Sequence, residues 1–233
     1  MKVYITSDQH FFDRTAIAYN DRPYTNDFDG MVQNAIDMFN EFNQIVRKDD
    51  LVIFLGDVAF INSKNKKLFR EMFKQLHGNK ILVLGNHDRR TEEFYLSCGF
   101  LAVTDFIHIG RYFLCHYPLD KCYSSHEKHL LEICKYYKCD TIIHGHVHDE
   151  DIINEDFTRI NVSVDHNEMI PVKFTQHIFK TFASNFLKNQ VLETSETVKL
   201  IEKRRSNRMF TKHFKEQVAR IKNIFNPNRK KIA

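Results

Sequence analysis

The sequence predicts a layered α/β fold with a mostly parallel sheet, on two observations. Short apolar runs of strand length alternate with longer stretches whose apolar residues recur at helical spacing. Five of the short runs stop at polar residues that a core would not bury unpaired, and in such folds ligands gather at the carboxyl ends of strands. Leu82-Val83-Leu84 ends at Gly85-Asn86-His87-Asp88, Val3 to Thr6 runs into Ser7-Asp8-Gln9-His10, and Leu51 to Leu55 into Gly56-Asp57. Tyr112 to Cys115 ends at His116, and Thr141 to Ile143 opens onto His144-Gly145-His146-Val147-His148.

Taken in order, the first strand is followed by a loop holding Asp21-Arg22-Pro23-Tyr24. Met31, Ala35, Ile36, Phe39, Phe42 and Val46 then mark a long amphipathic helix, broken at Asp49-Asp50. After the second strand, Leu68, Phe69, Met72, Phe73 and Leu76 mark another helix, stopped near Gly78 before the third strand. Thr104 to Ile109 and Tyr112 to Cys115 flank Gly110-Arg111, a two-residue turn of hairpin type, so antiparallel strands enter in the second half. Ser125 is suited to cap a helix carrying Leu130, Leu131, Cys134 and Tyr137. Arg159 to Val164 is the last clear strand, and helical patterns follow, first over residues 176–188 and then over a longer stretch.

A length of 233 residues suits one sizeable domain plus an extension, here divided as 1–182 and 183–233. The N-terminus shows no charged and apolar leader and no apolar run is long enough to span a bilayer, so a soluble, cytoplasmic protein without a membrane partner is expected. The five cysteines are odd in number and lack Cys-x-x-Cys spacing, which reads as reduced thiols used for packing rather than a disulfide framework or zinc ribbon. Net charge is +4, but residues 199–233 hold twelve Lys or Arg against two Glu, which leaves −6 for the remainder.

Asp8, His10, Asp57, Asn86, His116, His146 and His148 offer imidazoles, carboxylates and one amide, without thiolate. That set suits Mn²⁺, Fe or catalytic Zn²⁺ with open positions, ahead of a closed structural zinc. Seven ligands are too many for one ion and about right for two that share a carboxylate and clamp the oxygens of a phosphoryl displacement. His146 and His148 lie two apart, so on extended backbone both face one site. Gly145 lets the backbone pass close to that site, and Gly85 lets its loop turn. His144 reads as a buried or supporting histidine. Arg22 and Arg89, with Arg90 beside it, carry guanidinium groups that match a substrate phosphate, against the plainer alternative of solvated loop arginines.

In order and content, Asp8-Gln9-His10, Gly56-Asp57, Gly85-Asn86-His87-Asp88, His116 and Gly145-His146-Val147-His148 resemble the blocks of the calcineurin-like metallophosphoesterases, over roughly residues 1–180. Arg22-Pro23, His116-Tyr117-Pro118 and Asn161 to Asp165 are similar to flanking segments of the small bacterial and phage members. Val58-Ala59-Phe60 stands where Ser/Thr protein phosphatases have Asp-Arg-Gly, which counts against a phosphoprotein phosphatase. The resemblance implies a sandwich of two mixed sheets flanked by helices. It implies two divalent ions, Mn²⁺ first and Fe, Zn²⁺, Ni²⁺ or Mg²⁺ next, with Asp8, His10 and His148 on one, Asn86, His116 and His146 on the other, and Asp57 bridging. It further implies in-line attack by a metal-bridging hydroxide, protonation of the leaving oxygen by His87 held in place by Asp88, and polarisation of the phosphate by Asn86.

The expected function is hydrolysis of phosphodiesters, among them cyclic nucleotides or oligonucleotides, ahead of phosphomonoesters or nucleoside polyphosphates. Two alternatives stay open: a nuclease whose RNA or DNA is bound by the basic tail, and a non-catalytic scaffold module of the same fold. For the tail itself, Lys203-Arg204-Arg205 with Arg208, Lys212 and Lys215 suit phosphate contacts. The Phe210, Phe214, Val218 and Ile221 stripe equally suits a helix docked on the acidic body or a homo-oligomeric interface.

Overall fold

The computed structural model describes residues 1–150, 152 and 156–174. Four strands, β1 (Val3–Thr6), β2 (Leu51–Phe54), β3 (Asn79–Val83) and β4 (Phe100–Thr104), are mutually parallel, and β9 (Val172–Phe174) joins β1 antiparallel, giving the order β4-β3-β2-β1-β9. The second sheet runs β5 (Ile107–Ile109), β6 (Tyr112–Leu114), β7 (Thr141–His144), β8 (Thr158–Asn161). Its β5-β6 pair is the expected antiparallel hairpin with Gly110 in the turn at φ 57°, whereas β6-β7 and β7-β8 are parallel. Both sheets are mixed and flanked by helices, as expected.

Helices α1 (Arg14–Tyr19), α2 (Phe28–Ile45), α3 (Lys66–Gln75), α4 (Glu92–Ser97) and α5 (Ser125–Tyr136) occupy the connections. The core explains the abundance of phenylalanine. Tyr4, Val52, Phe54 and Leu82 alternate onto one face of the first sheet and meet Met38 and Phe42 of α2, Phe69 and Phe73 of α3, and Phe94 of α4. Phe73 is wholly buried, with its ring centroid 4.3 Å from that of Phe69, 5.4 Å from Phe100, 5.7 Å from Phe11 and 5.9 Å from Phe54. The intervening residues Val3, Ile5, Leu51, Ile53, Ile81 and Val83 are also buried, so the first sheet is covered on both faces. The sheets meet at β1, where the Ser7 N–H donates to the Val162 carbonyl at 3.1 Å and the Val164 N–H to the Ser7 carbonyl at 3.0 Å.

Several local expectations need correction. The apolar stretch around Thr104 to Ile109 is two strands in different sheets: β4 ends at Thr104 and β5 begins at Ile107, so the chain changes sheets across Asp105-Phe106. The cap of α5 is Ser124, not Ser125, in a reciprocal capping box with Glu127. Helices α1 and α4 have six residues each, too short for a periodic signal, and β9 has three residues only half-buried. Among the described residues no helix is long and apolar enough to cross a membrane. The expected domain boundary at 182–183 and the basic helices beyond it lie outside the described residues.

Candidate metal centre

All five polar strand ends converge. Asp8 and His10 follow β1, Asp57 follows β2, Asn86 follows β3, His116 follows β6, and His146 and His148 follow β7. Asp8, His10 and His148 form one group whose ligand atoms lie within 4.8 Å of one another, and Asp57, His116 and His146 form a second. Asn86 joins the second, its Oδ1 lying 3.0 Å from His116 Nε2 and 3.0 Å from His146 Nδ1. Asp57 Oδ2 stands between the groups, 3.3 Å from His116 Nε2 and 3.7 Å from His10 Nε2. A single carboxylate oxygen therefore faces both.

The donor set fits a pair of divalent cations on more than proximity. His10 Nε2 is a buried ring nitrogen without a hydrogen-bond partner, aimed at Asp57. Three of the four ligand imidazoles are fixed through Nδ1, which leaves Nε2 for a cation. His116 Nδ1 lies 2.8 Å from the Leu55 carbonyl, His148 Nδ1 lies 2.7 Å from Asp165 Oδ2, and His10 Nδ1 lies 3.4 Å from Asp13 Oδ2. Burial opposes charge on Asp57, yet His116 and His10 hold its carboxyl far below the usual range. Burial likewise opposes charge on His116, but the Asp57 and Asp8 carboxylates raise it to about 9.

The backbone is bent to achieve this. Asp8, His10, Asp57, His146 and His148 all have positive φ, at 62°, 47°, 52°, 73° and 55°. Left-handed conformations in residues other than glycine persist only where surrounding contacts enforce them. Here the Asp8 N–H donates to the Gly56 carbonyl at 3.1 Å, the His10 N–H to the Asp57 carbonyl at 3.0 Å, and the His146 N–H to the Asp8 carboxylate. Gly145 is needed for close approach, since a Cβ there would collide with Ser7 and Asp8. A Cβ on Gly85 would collide with Asp57, so close approach, not a special turn, requires that glycine too.

Two expected roles change. Asp88 does not hold the His87 imidazole, and among the described residues no ion pair joins them. Its buried carboxylate accepts N–H groups of Asp57 at 2.7 Å, Val58 at 3.2 Å and Gly85 at 2.9 Å, with the Tyr95 hydroxyl at 3.4 Å. It thereby ties the Asp57 loop to the Asn86 loop, and burial together with the nearby Asp57 charge raises its pKa to about 6. Arg22 is not free to grip a phosphate. It is buried, donating to both Asp165 oxygens at 2.7 and 2.9 Å and to the Gln9 and Asp8 carbonyls at 2.9 Å. Arg22 and Asp165 form a support behind Asp8 and His148.

His87 is exposed, its N–H donating to Asp57 Oδ1 at 2.8 Å and its ring centroid 5.2 Å from that of His10. Arg89 is exposed on the same loop and, with His87 and Arg90, lines an adjoining pocket. His144 is buried, as expected, and burial lowers its pKa to about 4. Sequence reasoning assigned Asp165 and Asp13 no role. Asp165 carried a usable signal, since it follows the Arg159 to Val164 run much as the candidate ligands follow theirs; Asp13 did not.

Compared with family models, residues 1–150 match that of the calcineurin-like phosphoesterases. The chain belongs to the calcineurin-like phosphoesterase family. The chain is 36% identical over 93 residues to an uncharacterized protein of Methanocaldococcus jannaschii, a match spanning 40% of the chain and 50% of that relative. A crystal structure of a protein of unknown function from Aquifex aeolicus superposes at TM-score 0.57 with 27% identity, covering 74% of this chain and 95% of that one. A Vps29 structure from Entamoeba histolytica is similar at TM-score 0.35 and 16% identity over 69% of this chain and 73% of that one, too slight a likeness to bear on activity. Family and ligand clusters together fit a dinuclear metal site in a phosphoesterase-type protein.

Proposed function

We propose that the chain hydrolyses phosphate esters with two divalent cations, Mn²⁺ first among them, and prefers phosphodiesters of the cyclic-nucleotide or oligonucleotide kind to phosphomonoesters. The observation that carries this reading is the placement of one Asp57 oxygen between two complete ligand groups. When bound, the cations polarise phosphoryl oxygens and acidify water toward neutral pH.

The protein's own groups supply the rest. Asp8, His10 and His148 would hold one cation and Asn86, His116 and His146 the other, with Asp57 available to both. His87, exposed beside His10, gives a proton from its imidazole to the departing alcohol oxygen. The exposed Asn86 amide offers an N–H to a phosphoryl oxygen while its carbonyl oxygen faces His116 and His146. Asp13, Asp165 and Asp88 act by positioning. The excess of Lys and Arg over residues 199–233 favours a nucleic-acid version of this activity, with the segment binding substrate phosphates.

The test is hydrolysis of bis-p-nitrophenyl phosphate with added Mn²⁺. The rate is expected to vanish with chelator, return with excess Mn²⁺, and fall at least a hundredfold in Asp57→Asn together with loss of one bound metal. A rate indifferent to chelator would overturn the reading.

A further inference from the structure

Against the His87 loop lies a pocket of about 270 Å³ whose lining includes Asp13, Phe60, Ile61, His87, Arg89 and Tyr95. It shares two residues with the neighbourhood of His10: the His87 ring packs edge-on against the His10 ring, and Asp13 holds His10 Nδ1. The pocket therefore begins where the ligand group of Asp8, His10 and His148 ends, on the side of the proposed proton donor.

The chemistry of the walls is mixed in a specific way. Ile61 and buried Tyr95 contribute apolar surface to the lining, whereas Phe60 is 52% exposed. The Phe60 ring stands on fixed backbone, since its N–H donates to the Phe11 carbonyl at 2.9 Å and its carbonyl accepts from Asn65 Nδ2 at 2.7 Å. An exposed ring on a pinned backbone at a pocket rim is a stacking platform for a flat ligand. Exposed Arg89 adds a cation and hydrogen-bond donors at the same rim. The volume lies just below the usual range for small-molecule sites, which restricts the occupant to one ring-bearing unit and excludes a folded polymer.

We infer that this pocket receives the leaving alcohol of the substrate and that the alcohol is a nucleoside, its base stacked on Phe60 and its polar edge toward Arg89. The inference rests on the phosphoesterase reading above and names the substrate class for the same site.

The test has two arms, both on the full chain. In the first, adenosine binding is measured by ligand-observed NMR without added metal, with ribose as control. Adenosine is expected to bind and ribose not, with affinity falling about tenfold in Phe60→Ala and returning in Phe60→Trp. In the second, kcat/KM with Mn²⁺ is compared for the methyl esters of AMP and of ribose 5-phosphate, which share a phosphorus environment and differ by the base. The AMP ester is expected to be preferred about tenfold, chiefly through KM, with the preference lost in Phe60→Ala and restored in Phe60→Trp. Mn²⁺-dependent hydrolysis of both esters without preference, or a preference that survives Phe60→Ala, overturns the pocket assignment alone. Phe60-dependent adenosine binding without hydrolysis of either ester supports the pocket and overturns the phosphoesterase reading.

Discussion

Asp13 and Asp165 each hold a ligand histidine by its Nδ1, at 3.4 and 2.7 Å, and Asp165 is in turn held by Arg22. Outer carboxylates of this kind set ring tautomer and orientation, and removing them costs roughly 10- to 100-fold in metal affinity. Asp165→Asn and Arg22→Lys should therefore weaken Mn²⁺ binding by about that factor, read by competition with a chelating dye, and leave KM unchanged at saturating metal. A raised KM at full metal occupancy would instead restore Arg22 as a substrate contact. His87 stands in a different position, since its ring is exposed and outside both ligand groups. His87→Ala should keep both metals by elemental analysis, lose roughly 100-fold or more in kcat on alkyl leaving groups, and lose far less on p-nitrophenolate, which departs without a proton.

At the scale of elements, β3 carries a cost. Lys80 is buried on the helix-facing side of that strand, its Nζ donating to the Leu76 carbonyl at 2.6 Å and the Gly78 carbonyl at 3.1 Å, just past the end of α3. Burial lowers its pKa from 10.5 to about 8. The unfolded chain then binds more protons than the folded one between about pH 8 and 10.5, so stability rises with pH through that window. Below it the buried ammonium costs roughly 3 kcal/mol. Urea midpoints of the wild type and Lys80→Met, measured from pH 7 to 10.5, should differ by an amount that changes steadily across the window; a constant difference would mean that folding leaves the Lys80 pKa unshifted.

At the scale of the whole molecule, Met1–Phe174 form a compact unit of their own that holds both sheets and the aromatic cluster. A chain ending at residue 174 should accordingly keep Mn²⁺-dependent hydrolysis of small diesters. If the basic segment binds nucleic acid, the full chain should bind polynucleotide with log K falling steeply against log salt, and truncation should flatten that slope. Equal slopes would exclude the segment as a nucleic-acid arm.

Residue pattern alone is enough to place the strand ends and the donor set. Alternating apolar runs must be buried, and imidazoles and carboxylates at their ends must find partners, so β1, β2, β3, β6 and β7 and all seven candidate ligands are legible in the order of the residues. The same pattern leaves α1, α4 and β9 unread, because six-residue helices and a half-buried three-residue strand carry too little periodicity to register. What each polar side chain faces is settled only by the folded arrangement. Asp88 ties two loops instead of holding His87, Arg22 supports Asp165 instead of meeting substrate, and five ligands adopt positive φ. Hydrogen-bond partners and strained backbone conformations are set by contacts between segments far apart in the chain, whereas local pattern reports only which residues must be buried.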